Sequence, residues 1–205
     1  KTRRPSYHEL SSNMQYDDAF TYEKGNPLLQ PEIIHDFTMS GIYRWIYFGM
    51  SYQYVNDAIV SSIDLQPGEG KPLNIFTNVN RSHLNKYTAV LSLSPKFGIW
   101  SPRLSMTLMG QDFKMMHEGK TLEMTNPLLL ASLYNSFSLS KGYILSCDFS
   151  GNTYGDITIA TLKPSWQMNI GVVKKLNHWT FQLQATDLFR TARNSMYTYG
   201  TSMLL

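Results

Sequence analysis

The chain has 205 residues, of which only 16% are charged and 13% are aromatic, with 13 Tyr; soluble domains usually carry about 25% charged residues. A net charge of +3 is too mild to argue for nucleic acid, and no Lys/Arg run tracks along one face. The single cysteine, Cys147, excludes an internal disulfide framework and a cysteine-based zinc site, and no run of about eighteen apolar residues offers a spanning helix.

The chain opens on Lys1-Thr2-Arg3-Arg4-Pro5, without the apolar core of a signal peptide, and residues 9–16 have room for a short turn of helix. Strict two-residue alternation then takes over. Ile46, Phe48, Met50, Tyr52 and Tyr54 alternate with Tyr47, Gly49, Ser51 and Gln53; Tyr87, Ala89, Leu91 and Leu93 alternate with Thr88, Val90, Ser92 and Ser94. Leu104, Met106 and Leu108 lie opposite Arg103, Ser105 and Thr107, and Ala131, Leu133, Phe137 and Leu139 lie opposite Ser132, Tyr134, Ser136 and Ser138. The pattern continues with Tyr143, Leu145, Cys147 and Phe149, then Trp166, Met168, Ile170 and Val172, and ends in Trp179, Phe181, Leu183 and Ala185 between Thr180, Gln182, Gln184 and Thr186. A strand sends successive side chains to opposite faces, so each segment has one apolar and one polar face. The chain reads as all-β, in consecutive antiparallel strands at about 33–43, 45–55, 74–94, 98–111, 127–139, 142–151, 165–174 and 178–188.

The connections carry more information than the strands. Tight turns are predicted near Tyr43–Trp45, at Pro95-Lys96-Phe97-Gly98, at Ser140-Lys141-Gly142 and at Lys175-Leu176-Asn177-His178. Between them lie long polar connections at 56–73, 112–126 and 152–164. Short and long joints thus alternate, which a soluble sandwich has no reason to do. An outer-membrane barrel has short periplasmic turns, long extracellular loops and an alternating pattern in each strand. On this reading the apolar face meets lipid and the Ser/Thr/Gln face lines a wet or plugged lumen. Trp45, Tyr143, Trp166 and Trp179 are expected beside the short turns, as an aromatic girdle. A soluble β-protein whose aromatic face packs on a second sheet remains the alternative.

Two blocks resemble a known family. "RRPSYHEL…YDDAFTYEKGNPLLQPE" (3–32) and "VVKKLNHWTFQLQATDLFRTAR" (172–193) are similar to segments of TonB-dependent outer-membrane receptors, in the "outer membrane protein beta-barrel" group common in Bacteroidetes. Arg4-Pro5-Ser6-Tyr7 and Gly25-Asn26-Pro27-Leu28-Leu29-Gln30-Pro31-Glu32 match that family's early blocks. Asp187-Leu188-Phe189-Arg190-Thr191 matches a late one, except that Arg190 replaces the usual Asn. The resemblance implies a bacterial outer-membrane location and an up-and-down meander within a large transmembrane barrel, about eight strands of it here. Residues 1–32 form a loop-rich lead-in, 33–188 the strands, and 189–205 a loop and the start of a further strand. It also implies a plug domain and further strands absent from this chain, so that the chain is an interior fragment of a barrel.

The residues of these blocks read as structural. Gly25-Asn26 can supply a tight turn, and Pro27 and Pro31 end pairing before the strand from Ile33. Tyr16, Asp17, Asp18 and Tyr22 sit on the loop side of that strand, within reach of a ligand or packed on the lumen wall. No catalytic grouping emerges. His8, His35, His83, His117 and His178 are scattered, and Met115-Met116-His117 reads as flexible loop rather than a copper site. Gly68-Glu69-Gly70-Lys71 lacks the spacing of a phosphate loop, Cys147 falls on the apolar face, and the Asn80-Arg81-Ser82 sequon lies inside a strand. The expectation is therefore a non-enzyme with no cofactor, no metal site and no assignable ligand residues. Three classes follow: the barrel of an energy-coupled receptor for a siderophore, cobalamin or glycan; a passive or structural outer-membrane barrel; or a soluble β-sandwich. For the first, the partners are membrane lipid, the plug, the TonB system and the nutrient, with no nucleic acid.

Overall fold

The computed structural model describes residues 1–18, 21–66, 73–117, 120–193 and 195–198. Thr2–Arg3 (β1) is followed by one helical turn, Tyr7–Leu10 (α1), and by Met14–Asp18 (β2) and Thr21–Lys24 (β3). The long strands are Glu32–Tyr43 (β4), Ile46–Gln66 (β5), Leu73–Leu93 (β6) and Trp100–His117 (β7). Lys120–Met124 (β8), Leu128–Ser138 (β9), Tyr143–Asn152 (β10), Gly155–Ile157 (β11) and Ala160–Leu162 (β12) come next, then Ser165–Leu176 (β13), Trp179–Ala185 (β14) and Met196–Thr198 (β15). The helical turn is thus earlier and shorter than the 9–16 window, and β2 takes over that window's end.

One sheet runs in the order β1-β4-β5-β6-β7-β9-β10-β13-β14, each strand antiparallel to the next. Apart from β1, this is a meander of consecutive strands, with β8 and the β11–β12 hairpin as excursions at one end. All eight strand positions read from the sequence are present, the last ending at Ala185 rather than 188. The sheet is open: among the described residues no ladder joins β14 back to β4.

The four short joints fall at one end. Arg44, in the turn between β4 and β5, has φ 52°, and Lys141 and Gly142 have φ 60° and 75°. Such left-handed residues let two antiparallel strands reconnect within a few residues.

The three long connections are not loops over most of their length. β5 and β6 stay paired from Ile46↔Leu93 out to Gln66↔Leu73, so 56–66 is strand. β7 continues to His117 and returns as β8, and 155–162 form the β11–β12 hairpin. Their polar composition masked this, because a ladder needs only backbone partners. Gly68, Gly70, Lys71 and Gly119 lie outside the described residues.

Asp57 marks a boundary within the first hairpin. Its φ is 51°, and the pairing skips it while keeping register, Asn56↔His83 and then Ala58↔Arg81. Before it, Val55 and Leu84 are the buried pair; beyond it most buried positions change parity, to Ala58, Val60, Val79 and Ile75, while Ile63 keeps it. These residues, apart from Ile63 and Ile75, join Phe113, Met124 and Ile159 in the main core cluster, with Ile34 and Leu122 packed at its edge. The core therefore sits among the outgrown hairpins, not behind the eight-strand wall.

Candidate functional site

Register decides what the wall presents. Tyr43, Phe48, Met50, Tyr52 and Tyr87 share one face with Leu91, Met106, Leu133, Leu145, Phe149, Ile170 and Leu183, row by row across every ladder. Among the described residues nothing packs on that face as a second sheet would: Phe37 is 61% exposed, Phe181 57% and Leu183 77%. A contiguous apolar surface of this size marks contact with something other than water.

Aromatic side chains gather at both ends of the face. At the short-turn end are Trp45, Tyr143, Trp179 and a stack of Phe97, Trp100 and Phe137, with ring centroids 5.3 and 6.3 Å apart. The Lys174 ammonium lies 3.8 Å from the centre of the Tyr143 ring and donates to the Lys141 carbonyl, its stem along the apolar face and its charge beyond it. Trp166 departs from expectation. It opposes Gly151 beside the β11–β12 hairpin, at the opposite end from the short turns, stacks with Phe149 at 5.8 Å and lies tilted against Phe189 at 5.6 Å. Alternation gives the face a residue points to, but not which end of its strand it marks. Trp45 to Tyr54 spans nine steps of about 3.3 Å, or roughly 23 Å of depth at a ~40° tilt, the height of a barrel's apolar band.

A polar side chain interrupts the face toward the short-turn end. Asn135 sits between Pro102 and Cys147, and Pro102 brings no N–H to its ladder. The Asn135 amide donates to the Cys147 carbonyl at 3.1 Å and its oxygen accepts from Trp100 Nε1 at 3.1 Å. Each polar atom is thus internally paired, as hydrocarbon requires. Cys147 itself lies on this face, half-buried and free.

The opposite face carries small hydroxyls in register. Ser92, Ser105, Ser132 and Ser150 are successive partners across four strands, ending on Gln167, whose Nε2 donates to Ser150 Oγ at 3.2 Å. A second row runs Ser101, Ser136, Ser146, Gly171 and Gln184. The serines were legible singly on the polar parity; their alignment into rows needed the register. Between the two rows run Arg103, Tyr134, Asp148 and Asn169, so the face is polar across this stretch.

At the hairpin end, the family-like blocks form a strap. Ser6 and Glu9 cap α1 reciprocally, and Arg3 bridges Glu9 at 2.6 Å and Glu32 at 3.5 Å. Glu32 also accepts from the Ile59 N–H at 2.8 Å, beside Asp57. Asn80 exchanges hydrogen bonds with the Gln30 backbone and donates to the Asp57 carbonyl, and Asn26 Nδ2 donates to the Asn78 carbonyl. The turn is at Pro27-Leu28, where Asn26 Oδ1 accepts from Leu28. Gly25 is needed instead for close approach, since a Cβ there would lie 2.3 Å from the Ser11 carbonyl. The late block works similarly: Asp187, φ 47°, accepts from Thr191 and Ala192, and Arg190 takes φ 54°.

The strap also completes a pocket of about 300 Å³ lined by Asp17, Thr21, Tyr22, Glu23, Ser61, Phe76 and Asn78. Tyr16 packs edge-on against Tyr22 at 5.7 Å. Of the loop residues singled out in the sequence, Asp17 and Tyr22 line this pocket; Glu23 and Phe76 were missed, because β3 pairs with β6 in parallel, a contact no local pattern announces. Two carboxylates beside two rings suit a hydroxyl-rich or cationic group.

The chain matches, over residues 1–204, the model of the outer membrane protein beta-barrel family. No curated protein and no solved structure matches it.

Proposed function

The chain belongs to the outer membrane protein beta-barrel family, and from that premise we propose that this wall of the bacterial outer membrane serves an energy-coupled receptor. Its cargo is a bulky nutrient of the siderophore, cobalamin or glycan class. The observation that carries the reading is the pair of serine rows. A wall whose inner face carries two rows of short hydroxyl side chains, with Arg103, Tyr134, Asp148 and Asn169 between them, suits a wide, wet lumen that holds a movable plug and passes a large solute. The acidic, aromatic-edged pocket at the hairpin end is where such a solute first meets protein. Membrane lipid is the partner of the apolar face; the plug, TonB and nutrient are partners of the proposal. Catalysis has no part in it.

The long hairpins face outward and the short turns face the periplasm, as in other barrels of this kind. The test is growth of cells carrying the intact protein on panels of ferric siderophores, cobalamins and oligosaccharides as sole sources. Uptake that stops when a protonophore collapses the inner-membrane potential supports an energy-coupled receptor. Uptake that continues unchanged identifies a passive barrel and overturns the proposal.

A further inference from the structure

The apolar face is not uniformly convex. Around Ala131 and Gly151, which oppose each other across β9 and β10, it dips into a pocket of about 360 Å³ lined by Leu129, Phe149, Pro164 and Trp166. The dip has a structural cause. A Cβ on Gly151 would lie 2.7 Å from the Ser165 carbonyl and 2.9 Å from Trp166 Cβ, so glycine holds the position and leaves its floor bare. The stacked rings of Phe149 and Trp166 raise one wall, and Leu129 bounds the other side.

Its place on the wall selects its occupant. The floor and ring walls are continuous with the lipid-facing surface, so hydrocarbon, not water, is what lies against them. The rim turns polar at the hairpin end, at Asn152, Thr153 and Ser165. Asn152 Nδ2 donates to the Lys163 carbonyl at 2.8 Å, and the Lys163 ammonium, one residue before Pro164, lies 4.4 Å from the centre of the Tyr197 ring. A slot for an alkyl chain beneath a polar rim and an exposed cation matches an amphiphile with acyl tails and a phosphate-bearing head. We propose that this slot holds one acyl chain of an anionic outer-leaflet glycolipid, with Lys163 facing its phosphate. The assignment to the outer leaflet rests on the outward direction of the long hairpins given above; the slot itself does not.

The test is lipid retention by the intact protein extracted from its own outer membrane in mild detergent, read by mass spectrometry. Ala131→Trp fills the floor. Ala89→Trp places the same bulk on the same face away from the slot, and a heat-dependent shift in gel mobility checks that both variants fold. Retained glycolipid falls about ten-fold in Ala131→Trp, the effect of displacing roughly two methylene contacts, and is unchanged in Ala89→Trp. Lys163→Glu lowers retention of the phosphorylated glycolipid and leaves its dephosphorylated form unaffected. Equal retention in wild type and Ala131→Trp overturns the slot. Specific loss of a glycerophospholipid in place of the glycolipid overturns the choice of occupant, and surface tags on the hairpins separate that failure from an inverted wall.

Discussion

Gln111 and Thr158 exchange two hydrogen bonds as if a side-chain amide were a strand. Gln111 Nε2 donates to the Thr158 carbonyl at 3.0 Å, and the Thr158 N–H donates to Gln111 Oε1 at 2.7 Å. Gln111 is 5% exposed and Thr158 has φ 51°, so a buried amide on β7 pins the left-handed turn of the β11–β12 hairpin. Gln111→Ala leaves both backbone groups of Thr158 without these partners, a loss of about 1–3 kcal/mol locally. Limited proteolysis of the intact protein on whole cells is then expected to cut near 157–159 faster than in wild type. Unchanged cleavage would show that the core around Ile159 holds the hairpin by itself.

The two faces of β14 differ in what they tolerate. Leu183 opposes Val172 and Gln182 opposes Val173. Leu183→Arg places a charge in hydrocarbon and costs roughly 2–4 kcal/mol near the midplane, while Gln182→Arg on the lumen face is mild. Folding of both variants into lipid vesicles measures the difference, and equal costs at the two positions would contradict a lipid-facing row.

Arg190 is the one departure within the late block, and it falls on a left-handed residue, φ 54°. That conformation crowds a Cβ against the following carbonyl, and Asn tolerates it better than a long side chain. The resemblance noted in the sequence puts Asn at this position. Arg190→Asn is therefore expected to stabilise the folded barrel by up to about 1 kcal/mol, read as a higher temperature for the gel-mobility shift. A lower temperature would mean that the Arg190 side chain makes a contact worth more than the backbone strain.

Orientation is checked with epitope tags. Tags near Gly68 and Gly119 are expected to be detected on whole cells, and tags at Lys96 or Asn177 only after permeabilisation. Gly155 is a poor tag site, since a Cβ there would lie 2.6 Å from Leu128. The opposite labelling pattern reverses the wall.

Acid should loosen the strap. The Ser6 N–H bonds to the Glu9 carboxylate and, with Arg3 beside it, holds the Glu9 pKa below its ordinary 4.5. A depressed carboxylate pKa contributes stability that is present above about pH 4.5 and is lost as pH falls through the folded value. Proteolysis within 1–32 is expected to rise on acidification below pH 4.5 and to become insensitive to pH there in Glu9→Gln. An unchanged acid response in Glu9→Gln would assign it to another group.

Much of the wall was legible because hydrocarbon imposes one rule on every strand: alternate residues must be apolar. Ile46 to Tyr54 and Trp179 to Ala185 obey it without exception. Tight turns were legible for a related reason, since Ser140-Lys141-Gly142 must reverse the chain in three residues. What escaped the sequence lies where that rule lapses. Beyond Asn56 the strands continue in polar company, with alternation reset at Asp57, so strand and loop look alike. Asn135 breaks the apolar row yet belongs there, because its partners, Trp100 and the Cys147 carbonyl, are contributed by other strands. The pocket beside Tyr22 depends on a parallel pairing between segments some fifty residues apart, and nothing local encodes it.

The reversal of parity at Asp57 divides one hairpin between two cooperative units. Below it, side chains on β5 and β6 are held by lipid and by neighbouring wall strands; above it, Ala58, Val60 and Val79 are held by Phe113, Met124 and Ile159. The two sets share a backbone ladder, and of the side chains below the boundary only the adjacent Val55 and Leu84 reach the upper cluster, so the outer segment can open locally while the wall stays closed. Amide protons on the two sides of residue 57 should accordingly exchange with solvent at separate rates, although they sit on the same unbroken pair of strands.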